Sequence, residues 1–117
     1  MSYLLLIVEP AGQRQARTEA EAHDCYERMV RFSADLKSRG LLSMSQSLKT
    51  ETKGARVHVR GHQPLVVDGP FAEAKEIVGG FLLLTCGTRE EAIDIAGRCP
   101  AAAWATVEVR ELGPCFE

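Results

Sequence analysis

Two stretches of this chain are apolar at every position rather than at every second one, and no other feature narrows its possible folds as much. Tyr3-Leu4-Leu5-Leu6-Ile7-Val8 runs unbroken until Glu9-Pro10-Ala11-Gly12, and Ile77 to Cys86 is mostly apolar on both alternating faces around Gly79 and Gly80. Successive strand residues point to opposite faces, so an unbroken apolar run reads as a strand buried on both sides. The Gly79-Gly80 pair predicts a bulge or a close backbone approach in the second of these strands, which should pair beside the first. Something has to cover each face, and the remaining sequence offers two amphipathic helices. Thr18 and Glu21 form a Thr-x-x-Glu capping box, and Cys25, Met29, Phe32 and Leu36 make one apolar stripe. Lys37, Ser38, Arg39 and Gly40 then supply cationic side chains and a left-handed cap that end the helix at about Arg39. Thr88 and Glu91 repeat the box for a shorter helix whose inward stripe is Ala92, Ile95, Ala96 and Cys99, and Pro100 stops it.

Between the helices, Leu42, Met44, Gln46 and Leu48 alternate with Ser43, Ser45 and Ser47, the pattern of a strand with one apolar and one small polar face. Val57 and Val59 alternate with Arg56, His58 and Arg60, and Gly61-His62-Gln63-Pro64 turns the chain into Leu65-Val66-Val67, a peripheral hairpin. Asp68-Gly69-Pro70-Phe71 is dense turn chemistry. The aspartate is expected to accept from backbone N–H groups two or three residues on, with a short helical turn over Phe71 to Glu76. Ala105, Val107 and Val109 close the chain as a last strand. The order predicts one α+β domain over residues 1–117, a ferredoxin-like βαββαβ unit with an inserted hairpin and an antiparallel sheet. Both helices would lie on one sheet face, so a second copy of the chain is expected to cover the other and form a dimeric α+β barrel.

Charge and cysteine usage narrow the partners. Fourteen Lys plus Arg against 16 Asp plus Glu leave a net charge of −2, with no basic field for nucleic acid or an anionic membrane. The first apolar run is too short to span a bilayer and follows no basic residue, so the chain is expected in the cytoplasm. Cys25, Cys86, Cys99 and Cys115 form no CxxC pair, and thiols are expected to stay reduced. His58 and His62 lack a third ligand at metal-site spacing, the serines lack a nucleophile elbow, and no phosphate or dinucleotide glycine fingerprint occurs; neither metal nor cofactor is expected.

Asp68-Gly69-Pro70-Phe71-Ala72-Glu73-Ala74-Lys75-Glu76, followed after two residues by Gly79-Gly80-Phe81, resembles the signature of the DGPF proteins within the YCII-related family. Arg98-Cys99-Pro100 and Val107-Glu108-Val109-Arg110 resemble that family's final helix and strand. The resemblance implies a dimeric α+β barrel, and some members of this branch are associated with extracytoplasmic-function sigma factors. Other branches carry an early-helix histidine and an aspartate late in the second helix as an acid/base pair. His23 resembles the former; Ala96-Gly97-Arg98-Cys99-Pro100 holds no aspartate, so Asp68 is the expected replacement.

The candidate site residues are therefore His23 and Asp68 for acid/base work, with Lys75, Trp104 and Arg110 binding a small molecule in the cleft. Each has a plainer reading. His23 lies far from the centre of its helix's apolar stripe, as an exposed surface histidine would. Asp68 is the expected turn residue before Gly-Pro, and Lys75 is an ordinary solvated charge. Arg110 is expected to share a side of the last strand with Glu108 and Trp104, where Glu108 would be its ion-pair partner. The functional expectation is a homodimer with a small-molecule cleft and cofactor-free acid/base chemistry. The alternative is a non-catalytic regulatory or partner-binding module.

Overall fold

A computed structural model describes residues 2–117. Strand β1 (Tyr3–Pro10) leads through a single turn, α1 (Gln13–Ala16), into the long helix α2 (Glu19–Ser38), then β2 (Leu42–Ser47). The hairpin β3 (Ala55–Arg60) and β4 (Gln63–Asp68) precedes β5 (Glu76–Leu84), α3 (Arg89–Arg98) and β6 (Thr106–Glu111). The main sheet has the order β2-β5-β1-β6 and is antiparallel throughout. That is the expected ferredoxin-like arrangement, with β1 and β5 paired at its centre.

The helix boundaries follow the local signals. Thr18 Oγ1 accepts from Glu21 N–H at 3.1 Å while Glu21 Oε1 accepts from Thr18 N–H at 2.9 Å, so both bonds of the capping box form. Those bonds hold the Glu21 carboxyl below its ordinary value. At α3 only half the box forms, with Thr88 accepting from Glu91 N–H at 3.1 Å. Gly40 takes a φ of +71°, Gly40 N–H donates to the Lys37 carbonyl and Leu41 N–H to the Leu36 carbonyl, the paired closure of a Schellman cap.

The core occupies one face of the sheet. Tyr3, Leu5 and Ile7 of β1 with Leu82 and Leu84 of β5 are buried against Leu36 of α2 and against Ala92, Ile95, Ala96 and Cys99 at α3. Leu4, Leu6 and Val8, on the opposite parity, are half-buried beside Phe81 and Leu83. Both strands are apolar on two faces as the sequence requires, and within one chain the second face stays open.

Three expectations need correction. The turn after Asp68 is one bend rather than a helix, with Ala74 N–H donating to the Phe71 carbonyl at 2.9 Å, and β5 begins at Glu76. Its carboxylate partner is Glu51: Phe71 N–H donates to Glu51 Oε2 at 3.4 Å, and Gly69 N–H donates to the Gly54 carbonyl at 2.8 Å. A Cβ on Gly69 would collide with the Glu51 carbonyl, so this position tolerates only glycine. The third correction concerns β2. Its register shifts between Leu42 and Met44, after which Ser45 and Ser47 oppose Leu82 and Gly80. The serines thus face α2, and Met44 and Gln46 turn to the open face.

Candidate functional site

A groove of about 660 Å³ separates α2 from the β2–β5 half of the sheet. It exists because that half of the sheet lacks side-chain volume. Ser45, Ser47, Gly79 and Gly80 lie beneath Ala22, Cys25, Met29 and Ser33, so the helix has little to interlock with. Ser45 and Ser33 hydroxyls approach to 3.4 Å across the gap. The volume is in the range of sites that enclose a small ligand.

At its floor sits a buried carboxylate. Glu9 continues the parity of Tyr3, Leu5 and Ile7, one residue beyond the expected end of the strand, and its side chain is 4% exposed. Oε1 lies 2.7 Å from Arg14 Nε and is enclosed without a donor aligned on it. Arg14 reaches it from α1, and its Nη1 donates to the Leu48 carbonyl at 2.6 Å and Nη2 to the Gly79 carbonyl at 2.9 Å. One guanidinium therefore ties α1, β1, β5 and the chain after β2 together while neutralising a charge that burial would otherwise penalise. Gly79 is the extra residue of a bulge in β5, since Ile7 opposes Gly80 and Val8 opposes Val78. A Cβ there would overlap Glu9 Oε1 and fall 2.7 Å from Arg14 Nη2. Gly80 has a separate reason: its Cβ would come within 2.9 Å of the Gln46 carbonyl. The glycine pair thus provides both the expected bulge and the expected close approach.

The mouth is aromatic and cationic. The Arg17 guanidinium carbon stands 5.8 Å from the centre of the Trp104 ring, Arg17 Nη2 donates to Gln13 Oε1 at 3.0 Å, and Gln13 Nε2 donates to the Trp104 carbonyl at 2.7 Å. Tyr26 and Val30 line the rim and are 61% and 48% exposed.

Of the five residues singled out from sequence, only Trp104 borders this groove. His23 is exposed on α2, one residue off the lining positions; Asp68 is exposed at the end of β4, and Lys75 is exposed before β5, its carbonyl accepting from Ala11 N–H. Arg110 lies on the open sheet face opposite Leu4 and forms an exposed ion pair with Glu108 at 3.2 Å. Trp104 is not on that side. It caps the 3-10 turn Pro100–Ala103 with φ −130° and ψ 0°, so the alternation of β6 does not extend back to it. Val107 and Val109 oppose Ile7 and Leu5 and face the helices as expected.

Glu9, Arg14, Arg17 and the serines went unseen as site residues. For Glu9 a signal existed: a carboxylate on the covered parity of a central strand. Burial pushes the Cys86 and Cys99 thiols up, the wrong direction for nucleophiles. Among the described residues no three His, Cys, Asp or Glu side chains cluster as a metal would require, and no helix is long and apolar enough to cross a membrane.

Comparison with known proteins places the fold. The structure resembles 5-chloro-2-hydroxyhydroquinone dehydrochlorinase (TftG) from Burkholderia phenoliruptrix AC1100, solved with 2,5-dihydroxybenzoquinone, at a TM-score of 0.56 and 16% identity over 97% of this chain and 94% of that one. At that identity the likeness concerns the fold. An uncharacterised protein of Rhizobium meliloti (strain 1021) is 39% identical over 57 residues, which span 49% of this chain and 46% of that protein. The model of the YCII-related domain matches residues 1–115, and the chain belongs to the YCII-related family.

Proposed function

We propose that this chain is a small-molecule-binding domain whose ligand enters the groove between α2 and the sheet, and that two copies assemble through their open sheet faces. The observation that carries the reading is the buried Glu9–Arg14 pair at the floor of an otherwise apolar and hydroxyl-lined cavity. A buried ion pair stabilises a fold poorly compared with apolar packing of the same volume. Here it occupies the one part of the covered face where the sheet leaves room for a guest. The small hydroxylated ring bound by TftG supports a ligand of similar size. Acid/base chemistry, if the bound molecule undergoes any, falls to Glu9 as the one carboxylate bordering the groove, because His23 and Asp68 border none of it. The DGPF signature contributes through its glycines: Gly69 seats the hairpin, and Gly79 and Gly80 shape the groove floor.

The test fills the cavity. Ser45→Phe places a ring between β2 and α2, and calorimetric titration with 2,5-dihydroxybenzoquinone should show binding to the wild type and none to the folded variant. Equal binding by both would reject the groove. Sedimentation at micromolar concentration should give a dimer, and Leu6→Arg on the open face should give a monomer.

A second reading, a partner-binding module, is favoured by the hairpin. Every residue of β3 and β4 is exposed, and Val57, Val59, Leu65, Val66 and Val67 are 49–63% exposed. A two-stranded hairpin is marginal alone. Crosslinking from a cysteine placed at Val57 that captures a protein other than this chain would favour the module.

A further inference from the structure

The groove's lining carries two guanidinium groups, Arg14 and Arg17, and one carboxylate, Glu9. Glu9 and Arg14 neutralise each other at 2.7 Å, which leaves the charge of Arg17 over. Among the described residues no carboxylate lies within ion-pair distance of Arg17; its one side-chain partner is the neutral Gln13. A guanidinium offers five N–H donors, and Arg17 spends one of them on Gln13. Arg14 spends two, on the Leu48 and Gly79 carbonyls, and holds its Nε 2.7 Å from Glu9. Donors without acceptors therefore gather on the side of the groove where α1 and Trp104 meet. Beside them the Trp104 and Tyr26 rings, Met29, Ile7 and Leu82 provide flat and apolar surface, and the Ser33, Ser45 and Ser47 hydroxyls supply polar contacts across it.

Resting on the ligand-binding reading above, we infer that the groove selects a planar ring bearing a single negative charge, a carboxylate or an ionised phenol. The anion meets Arg17 beside Trp104, the ring lies between Trp104 and Met29, and ring hydroxyls reach the serines. Arg17 is then the specificity residue. Its planar fork matches a carboxylate with two parallel hydrogen bonds, and Trp104 holds the guanidinium in place from its ring face. A cationic ring would meet the like charge of Arg17, which the Glu21 carboxylate attracts without forming an ion pair with it, and a neutral one would leave the free donors unpaired.

Three nearly isosteric probes test this at pH 7.5: 4-hydroxybenzoate, 4-hydroxybenzamide and 4-hydroxybenzamidine, which are anionic, neutral and cationic. Titration should rank them in that order, with the carboxylate at least tenfold tighter than the amide. Arg17→Gln should remove that preference while changing amide binding less than twofold, and Arg17→Lys should keep most of it; a melting curve for each variant establishes that it is folded. Equal binding of carboxylate and amide by the wild type, or a preference untouched in Arg17→Gln, overturns charge selection and leaves the groove standing. Failure of all three probes to bind, or binding that survives Ser45→Phe, overturns the groove reading and this inference with it.

Discussion

The two faces of the central sheet share strands and differ in everything else. On the covered face, Leu5, Leu82 and Leu84 are nearly inaccessible and interlock with α2 and α3. On the open face, Leu4, Leu6 and Leu83 are half-buried, Val78 and Met44 are 43% and 46% exposed, and the charges pair with each other as Glu108 with Arg110. The covered face also divides: its α3 side is filled, while its β2 side holds serines, glycines and one buried ion pair. A single chain thus stabilises itself with half of one sheet face, holds a cavity in the other half, and leaves the second face uncovered.

Substitutions should separate these surfaces by size of effect. Leu84→Ala empties a fully packed site and should cost about 3 kcal/mol in urea unfolding, whereas Leu6→Ala should cost less than about 1 kcal/mol at concentrations where the chain is monomeric. Equal losses would mean that the open face is covered within one chain. Arg14→Ala should cost about 2 kcal/mol, since it leaves Glu9 buried without its counter-charge, and the double variant Glu9→Gln with Arg14→Ala should recover part of that loss. Gly79→Ala should cost about 1–2 kcal/mol by pressing a methyl group against the same pair, while Gly87→Ala, which meets nothing nearby, should be close to neutral.

Two smaller effects follow from the titrating groups. In the native protein Cys115 should react with a thiol reagent at once and Cys25 more slowly. Cys86 and Cys99 should wait for unfolding, because burial disfavours their thiolates. Rapid labelling of Cys99 would show that α3 opens away from the sheet. At the start of α2, the folded Glu21 carboxyl lies below its ordinary 4.5. Its contribution is therefore complete above that pH and is lost as pH falls through the lower folded value. Glu21→Gln should lower stability modestly at neutral pH and change it little in acid, which flattens the decline across that range.

Much of this architecture was legible along the chain. Capping residues at Thr18, Thr88 and Gly40, the stripe from Cys25 to Leu36 and the stop at Pro100 act within a turn or two, so local chemistry locates the helices. The alternating valines around Gly61 and His62, both at positive φ, locate the hairpin by the same logic. The groove was harder to see. His23 and Asp68 look reactive as residue types, but neither borders the groove, and what does border it includes serines that read only as the small polar face of a strand. Glu9 was the missed clue, standing where Tyr3, Leu5 and Ile7 set the buried parity.

The sequence by itself determined the order of elements, their ends, the antiparallel ferredoxin-like topology and the need for cover on a second sheet face. These rest on near-neighbour hydrogen bonds, on periodicity, and on the small number of ways two strand–helix–strand units can pack. Only the tertiary structure decided which face of β2 turns inward, that Arg14 reaches Glu9, and that Trp104 and Arg110 lie on opposite sides of the sheet. The reason is physical: a one-residue shift, at Gly79 in β5 or between Leu42 and Met44 in β2, reverses every side chain beyond it, and whether such a shift occurs depends on strands far apart in the chain.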